Sequence, residues 1–229
     1  MTHSTPDLTG PNGNDARRPT LLDLFCGAGG ASVGYHLAGF DVVGVDINPQ
    51  PNYPFEFHQA DALTFPLDGF DAIHASPPCQ AYTGVPGRRS DHPELLAPIR
   101  ERLIEAGVPY VIENVPGAPM PSALVLCGSA FGLPIVRHRQ FEVEPMMLIE
   151  PQCAAKSYGR ATYHGPQFCA YGHGAWRPRW RAEVVPVVWP WMTLEEAGQA
   201  IPPPYTELIG CHLIHHLLMV RSGRVGDAR

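Results

Sequence analysis

The stretch TLLDLFCGAGG, residues 20–30, decides the fold, because a short apolar run in it ends in a cluster of glycines. Such a run, bounded by a turn signal, is typical of a strand buried on both faces of a parallel sheet. Helical spacing follows from Gly29 to Gly39, and a second apolar run occupies residues 41–47. This succession of strand, glycine-rich turn, helix and strand is typical of a ligand-binding unit. The glycines of the first turn let the backbone approach a ligand closely.

The same alternation continues along the chain. The segment 57–63 is predicted as a connection, and helical spacing recurs at 93–106. Further strands are predicted at 70–76 and 109–115, and the segments 122–131 and 139–144 are predicted to add more strands and a turn. Strands that alternate with helices predict an α/β fold with a doubly wound, Rossmann-like and largely parallel sheet.

Composition divides the chain into a main domain and smaller parts. Residues 145–190 break the strand–helix alternation and are predicted to form a small inserted lobe. The helix within 192–201 carries Thr193 and Glu196 at capping-box spacing. The predicted organisation is a disordered leader 1–19, a main domain 20–144, the lobe 145–190, helices 191–220 that return to the main domain, and a tail 221–229.

The charge is unevenly distributed. The formal net charge is −6, which taken alone argues against nucleic acid, but residues 151–182 hold five basic residues and no acid. A basic segment on an acidic body is typical of a localised contact with a polyanion, and a solvated loop is the alternative. Aromatic residues are interleaved with the basic ones, as base stacking or a small core would require.

Other classes of protein are excluded or disfavoured by simple counts. No run approaches the roughly 18 apolar residues that a membrane-spanning helix needs. The first 20 residues lack the apolar core of a signal peptide, so we expect a cytoplasmic protein. The six cysteines are spread along the chain, which favours free thiols over a disulfide framework. Arginine is strongly preferred to lysine, which would suit a GC-rich bacterial or phage genome.

Two acids are placed to bind a nucleoside-type cofactor. Asp46 ends the second predicted strand, about where an acid accepts hydrogen bonds from ribose hydroxyls. Asp61 precedes the third strand, where it could bind an adenine amino group. The alternative is that both are ordinary loop acids.

Three further positions have the residue types of covalent catalysis. Cys79 follows two prolines at a predicted strand end, where a thiolate could act as a nucleophile, although a lone cysteine is more often a small core residue. Glu113 ends the fourth strand and could donate a proton or cap a loop. Arg137 and Arg139, separated by one residue, point to the same side of an extended chain and could hold an anion or a carbonyl oxygen.

Taken in order, these motifs resemble those of the C5-cytosine DNA methyltransferases. The resemblance rests on DLFCGAGG, VDINP, the Asp61 segment, SPPCQ, ENV and VRHRQFE. It covers residues 20–142 continuously and returns weakly at 192–213. QAIPPPYTELIG is similar to the family's final cofactor motif but lacks its usual Gly-Asn-Ser/Ala-Val signature.

The resemblance implies a Rossmann-like methyltransferase domain that faces a smaller target-recognition lobe across a DNA cleft. It implies S-adenosylmethionine as cofactor, with S-adenosylhomocysteine and 5-methylcytosine in double-stranded DNA as products. The catalytic residues would be Cys79 as nucleophile, Glu113, Arg137 and Arg139. The cofactor would be bound by Phe25, Gly27, Ala28, Gly30, Asp46 (where the family more often has Glu), Ile47, Asp61, Pro78, Tyr205 and Thr206. DNA would be contacted by Gln80, Arg88, Arg89, Arg177, Arg179 and Arg181.

Several alternatives remain open in the sequence. One branch of the same family methylates transfer RNA, and a non-catalytic, cofactor-sensing DNA-binding protein could keep the fold. The lobe is small for the family, so we expect a short recognition site, or a dimer or helper protein. Four residues in and near the basic segment could ligate zinc, but their spacing matches no standard finger and no metal is predicted: Cys153, His164, Cys169 and His173.

Overall fold

The computed structural model describes residues 17–82, 93–120, 122–145, 151–153 and 184–224, and the backbone alone of residues 168–169. The described strands are β1 Thr20–Leu24, β2 Asp41–Asp46, β3 Glu56–Gln59, β4 Ala72–Ala75, β5 Tyr110–Asn114, β6 Leu124–Leu126, β7 Ile135–Val136, β8 Arg139–Glu144 and β9 Phe168–Cys169. The described helices are α1 Gly30–Ala38, α2 Leu96–Ala106, α3 Val185–Val188, α4 Leu194–Gln199 and α5 Pro203–Arg221, with a 3₁₀ turn at Gly128–Phe131.

Seven of these strands form one sheet in the order β3-β2-β1-β4-β5-β8-β6. The first five are parallel, and β8 and β6 add to β5 as antiparallel strands. The chain order reverses between β1 and β4, and ligands bind at the carboxyl ends of strands at such a switch point. The sheet is therefore doubly wound and Rossmann-like, as the sequence predicts.

Both faces of the sheet are covered by helices, which explains why its central strands are almost wholly buried. Leu21 of β1 faces a cluster that includes α1 and α5, whereas Leu22 and Leu24 face a cluster that includes α2. The backbones of α1 and α5 approach closely at Gly34, where a Cβ atom would lie 2.1 Å from the Pro203 carbonyl oxygen. A side chain at residue 34 would force these two helices apart.

The closing part of the chain packs onto the main domain. Residues 184–189 belong to the segment predicted as the inserted lobe, yet Val184, Val188 and Trp189 are buried in a cluster with Ala28 and Ile135. The predicted capping box at the start of α4 is confirmed. Arg18, in the segment predicted to be disordered, donates hydrogen bonds to the carbonyl oxygens of residues 36, 39 and 40.

Two boundaries differ from the sequence prediction. The segment 57–63 is not only a connection, because β3, which overlaps its first three residues, pairs with β2 at the sheet edge. Its polar, largely exposed residues carry no apolar alternation, so only ladder hydrogen bonds define the strand. The sequence also predicts that residues 202–204 end one helix and that the next helix begins at residue 206. In the structure Pro203 and Pro204 already begin α5, where a missing N–H costs nothing. Among the described residues, no helix is long and apolar enough to cross a membrane.

Candidate active site

The glycine-rich loop after β1 has an unusual backbone. Phe25 has a φ of 60°, in the left-handed region that non-glycine residues seldom adopt, and Gly27 and Gly29 have φ of 50° and 84°. A Cβ atom on Gly27 would meet nothing within 4 Å, so open space borders the loop there. Asp46 at the end of β2 accepts a hydrogen bond of 3.1 Å from the Gly27 N–H, which fixes the loop against the neighbouring strand.

Two more predicted cofactor residues lie at the same edge of the sheet, because parallel strands end together. Ile47 is 64% exposed, an unusual state for a large apolar side chain that follows a buried strand. Asp61 is exposed after β3 and accepts a hydrogen bond of 2.8 Å from the Leu63 N–H. Arg102 of α2 holds this turn by donating to the carbonyl oxygens of Ala62 and Phe65.

Ala28 and Gly30 lie on the side of the loop that the closing segment covers. Trp191 Nε1 donates a hydrogen bond of 2.9 Å to the Ala28 carbonyl oxygen. A Cβ atom on Gly30 would lie 2.5 Å from the Ile201 carbonyl oxygen. At Ala28 and Gly30 the loop therefore packs closely against the segment between α3 and α5.

Tyr205 and Thr206 are fully buried, and their hydroxyls are engaged within the protein. The Tyr205 hydroxyl donates a hydrogen bond of 2.6 Å to the Arg137 carbonyl oxygen. Thr206 Oγ1 donates at 2.8 Å to the Ala31 carbonyl oxygen. These bonds tie α5 to α1 and to the connection between β7 and β8, which contains Arg137. The predicted contact of Tyr205 and Thr206 with a cofactor stays a prediction.

Cys79 lies in the segment that follows β4 at the switch point, and it is half-buried. Asn114 Nδ2 at the end of β5 donates a hydrogen bond of 3.0 Å to the Pro77 carbonyl oxygen. The Ser76 N–H donates at 3.1 Å to the Leu24 carbonyl oxygen. The segment is thereby anchored to both strands that flank β4, although the sequence analysis gave Asn114 no role. Pro78 is partly buried beside Cys79, and Gln80 is exposed.

Glu113 and Arg139 face each other across β5 and β8 and form a buried ion pair. Arg139 Nε lies 3.0 Å from Glu113 Oε1, with side chains only 10% and 8% exposed. That carboxylate oxygen nevertheless makes no hydrogen bond of good geometry with any described residue. Burial raises the pKa of Glu113, while Arg139 and a hydrogen bond with Ser76 act in the opposite direction. This carboxylate oxygen therefore interacts with Arg139 through charge rather than through a hydrogen bond.

Both arginines act on the thiol electrostatically. Burial raises the pKa of Cys79, and the negative charge of Glu113 raises it further. The positive charge of Arg139, and more weakly that of Arg137, lowers it. Arg137 is 2% exposed and donates a hydrogen bond of 3.1 Å to the Gly198 carbonyl oxygen of α4. The structure thus brings the four predicted catalytic residues into one electrostatic neighbourhood.

A buried polar network beneath α1 was not found by sequence reasoning. The Tyr35 hydroxyl and His74 Nδ1 are 2.9 Å apart, and His74 Nε2 and Ser76 Oγ are also 2.9 Å apart. Ser76 in turn hydrogen-bonds Glu113. Burial lowers the pKa of His74 to about 3, so the ring is neutral. The sequence does carry a signal for this network, namely the polar residue His74 inside an otherwise apolar strand.

Asp23 of β1 is the second buried group that the sequence analysis left without a role. Its side chain accepts a hydrogen bond from Ser32 Oγ, and Ser32 Oγ lies 2.8 Å from the Tyr53 hydroxyl. Asp23 Oδ1 has no hydrogen-bond partner among the described residues. Burial raises the pKa of Asp23 from 3.8 to about 7, although the hydrogen bond from Ser32 opposes the shift.

We expect Asp23→Asn to change how stability depends on pH. The raised pKa means that folded Asp23 keeps a proton that the unfolded chain releases, so between about pH 4 and 6.5 it makes stability fall as pH rises. The lowered pKa of His74 acts in the opposite sense over the same range. Without Asp23, the free energy of unfolding should rise more steeply with pH than in the wild type, by up to about 1.4 kcal/mol per pH unit. Urea unfolding at several pH values measures this, and parallel curves would contradict the assignment.

Most of the predicted DNA contacts lie outside the described residues, namely Arg88, Arg89, Arg177, Arg179 and Arg181. The same holds for His164 and His173 of the predicted zinc alternative. The predicted interface with DNA and the predicted dimer or helper protein stay predictions.

Sequence comparison finds no family model that matches the chain and no matching curated protein. Several solved structures are similar. One is a putative DNA modification methyltransferase encoded within a prophage of E. coli, at 23% identity and a TM-score of 0.43, with 54% of this chain and 45% of that chain covered. A Dnmt2 methyltransferase of S. pombe has 20% identity, a TM-score of 0.41, and coverages of 55% and 50%. An RNA methyltransferase from Salinibacter ruber, in complex with S-adenosyl-L-homocysteine, has 18% identity, a TM-score of 0.35, and coverages of 58% and 84%. This chain thus spans half or less of the first two structures.

Proposed function

We propose that this protein transfers a methyl group from S-adenosylmethionine to C5 of cytosine in DNA, through a covalent bond between Cys79 and C6 of the base. The observation that carries the proposal is the grouping of Cys79, Glu113 and Arg139 at the carboxyl edge of the sheet, next to the glycine-rich loop. A thiol, a carboxyl group of raised pKa and a guanidinium are the groups that addition to a pyrimidine ring needs.

The residues around the loop fit a nucleoside-type cofactor. The backbone at Gly27 borders open space, and Ile47 presents an exposed apolar surface. Asp46 ends β2, and Asp61 follows the adjacent strand β3. We assign Asp46 to the ribose hydroxyls, Asp61 to the adenine amino group and Ile47 to the adenine face. Phe25 and Pro78 would complete the walls. When bound, S-adenosylmethionine supplies an electrophilic methyl group.

Cys79 makes C5 of the base reactive. The thiolate adds to C6, and the electron pair released into the ring makes C5 a nucleophile. After C5 has gained its methyl group, a base removes the C5 proton and the electron pair of the C5–H bond expels the thiolate. The ring is thereby restored and Cys79 is regenerated.

Glu113 and Arg139 stabilise the charge that this addition creates. Negative charge develops at N3, where a protonated Glu113 donates a hydrogen bond, and its raised pKa favours the proton. Arg139 binds O2 of the base, while Arg137, held by Gly198 and Tyr205, supports it. A stacked cytosine is out of reach of these groups, so the target base must be flipped out of the duplex.

The test of the proposal is methyl transfer from labelled S-adenosylmethionine to mixed-sequence duplex DNA and, in parallel, to total transfer RNA. Nucleoside mass spectrometry then identifies the modified base. We expect 5-methylcytosine in DNA. Label in RNA alone would instead support the RNA branch, and cofactor binding without any transfer would support a binding protein.

We expect the reaction rate to depend on pH differently in Glu113→Gln than in the wild type. The active form needs the Cys79 thiolate, which increases with pH, and protonated Glu113, which decreases. Because one of these required fractions rises with pH while the other falls, the single-turnover rate of the wild type should rise, level off and then decline. Glu113→Gln keeps a neutral donor at all pH values, so its rate should climb about tenfold per pH unit until Cys79 is ionised. Equal profiles for the two proteins would contradict the role of Glu113.

A further inference from the structure

We infer that Cys127, His138 and Cys153 form a zinc-binding site that fastens three segments together. Cys127 lies between β6 and the 3₁₀ turn, His138 lies in the connection from β7 to β8, and Cys153 lies beyond β8. The inference goes beyond the proposed methyl transfer and does not depend on it.

The ligand atoms have the spacing that a tetrahedral zinc ion requires. The two sulfur atoms and one ring nitrogen all lie within 4.8 Å of one another. His138 Nε2 is 3.4 Å from Cys153 Sγ. Zinc bonds of about 2.3 Å to sulfur and about 2.0 Å to nitrogen place these atoms roughly 3.6 Å apart, and two sulfurs roughly 3.8 Å apart. Small side-chain adjustments are therefore enough to admit the ion.

The donor types select the metal. Thiolate and imidazole ligands suit zinc and disfavour magnesium and calcium, which require oxygen. Cys127 is 1% exposed and His138 is 7% exposed, so water has little access to compete. Ser129 Oγ lies 3.3 Å from Cys127 Sγ and 3.4 Å from Cys153 Sγ, where its hydroxyl can support a thiolate as outer-shell donors do. The backbone of Cys169 pairs with Val136, two residues before His138, which places a further cysteine in the same corner of the fold.

This ligand set differs from the zinc alternative that the sequence offered. Cys153 is common to the two ligand sets. Its partners in the present set, Cys127 and His138, belong to the main domain. Cys127 and His138 are separated by β7, and no fixed spacing reveals that they meet. The fold, not a local motif, creates the cluster.

The position of His138 gives the ion a structural consequence. His138 lies between Arg137 and Arg139, and Arg139 Nη1 donates a hydrogen bond of 3.0 Å to the His138 carbonyl oxygen. A metal bound by this imidazole would fix the peptide that presents both arginines. Through Cys153 it would also anchor the entry to the basic segment.

The test is metal content. Wild type, Cys127→Ser, Cys153→Ser and the matched control Cys211→Ser, whose cysteine is exposed on α5, are purified without chelators. Mass spectrometry of the elements should find about one zinc per chain in wild type and in the control, and background amounts in the other two. Zinc at wild-type stoichiometry in both cluster variants would overturn the inference.

A second measurement guards against variants that fail to fold. Folded wild-type protein, stripped with a chelator, is titrated with cobalt. We expect thiolate-to-cobalt charge-transfer absorption that zinc abolishes on addition. A titration without that absorption would overturn the inference.

Discussion

Cys79→Ala should lower the rate of methyl transfer about 10⁴-fold or more, since removal of a covalent nucleophile leaves only binding and electrostatic effects. Affinity for S-adenosylmethionine should stay within a few-fold of wild type, because the loop after β1 and Asp46 are held by contacts that do not involve Cys79. Single-turnover transfer of labelled methyl groups and equilibrium binding of the cofactor measure the two effects separately.

Cys211→Ser is the matched control for this prediction, because its cysteine is exposed on α5 away from the carboxyl edge of the sheet. It should transfer methyl groups at the wild-type rate. A folded Cys79→Ala protein that retained more than about a tenth of wild-type activity would contradict a covalent mechanism at this residue.

Arg139→Met should lower the rate about 10²- to 10³-fold, the usual effect of losing one group that stabilises developing charge. It should also cost about 3–5 kcal/mol of folding free energy, because it leaves Glu113 buried without its ion-pair partner. Part of this cost should be avoided by protonation of Glu113, so the loss should be smaller at lower pH.

The double variant Arg139→Met with Glu113→Gln separates the two consequences. It removes the uncompensated buried charge, so its free energy of unfolding should recover toward that of wild type. Its activity should remain low, because the guanidinium is still absent. Recovery of activity together with stability would show that Arg139 matters only for folding.

The sheet could be predicted from the sequence because its main strands have local apolar patterns, whereas the catalytic roles of Cys79 and Glu113 rest on the resemblance of their motifs to a known family and stay predictions. The run at 20–24 is mostly apolar because both faces of the strand are covered. Cys79 follows β4 and Glu113 lies near the end of β5, and both strands are recognisable in the same way. The structure gives a physical reason why the two residues lie near each other, since parallel strands end at one edge of the sheet.

Other features depend on long-range contacts that leave no local signal. The exposed edge strand β3 has no apolar alternation, and residues 184–189 give no sign that they pack against Ala28. Asp23 and His74 are each bonded by a residue of α1, Ser32 and Tyr35. Asp23 and His74 become parts of one polar layer only because α1 packs on the sheet.

The central claim, covalent catalysis at Cys79 on cytosine C5, is tested most directly with duplex DNA that contains 5-fluorocytosine. Fluorine at C5 leaves no proton to be removed after methyl transfer, so the thiolate cannot be expelled and the adduct persists. We predict a protein–DNA band that survives denaturation, requires S-adenosylmethionine, maps to Cys79 by peptide mass spectrometry and is absent in Cys79→Ala. Methylation of ordinary cytosine without any adduct on the fluorinated DNA, or an adduct that persists in Cys79→Ala, would contradict the account.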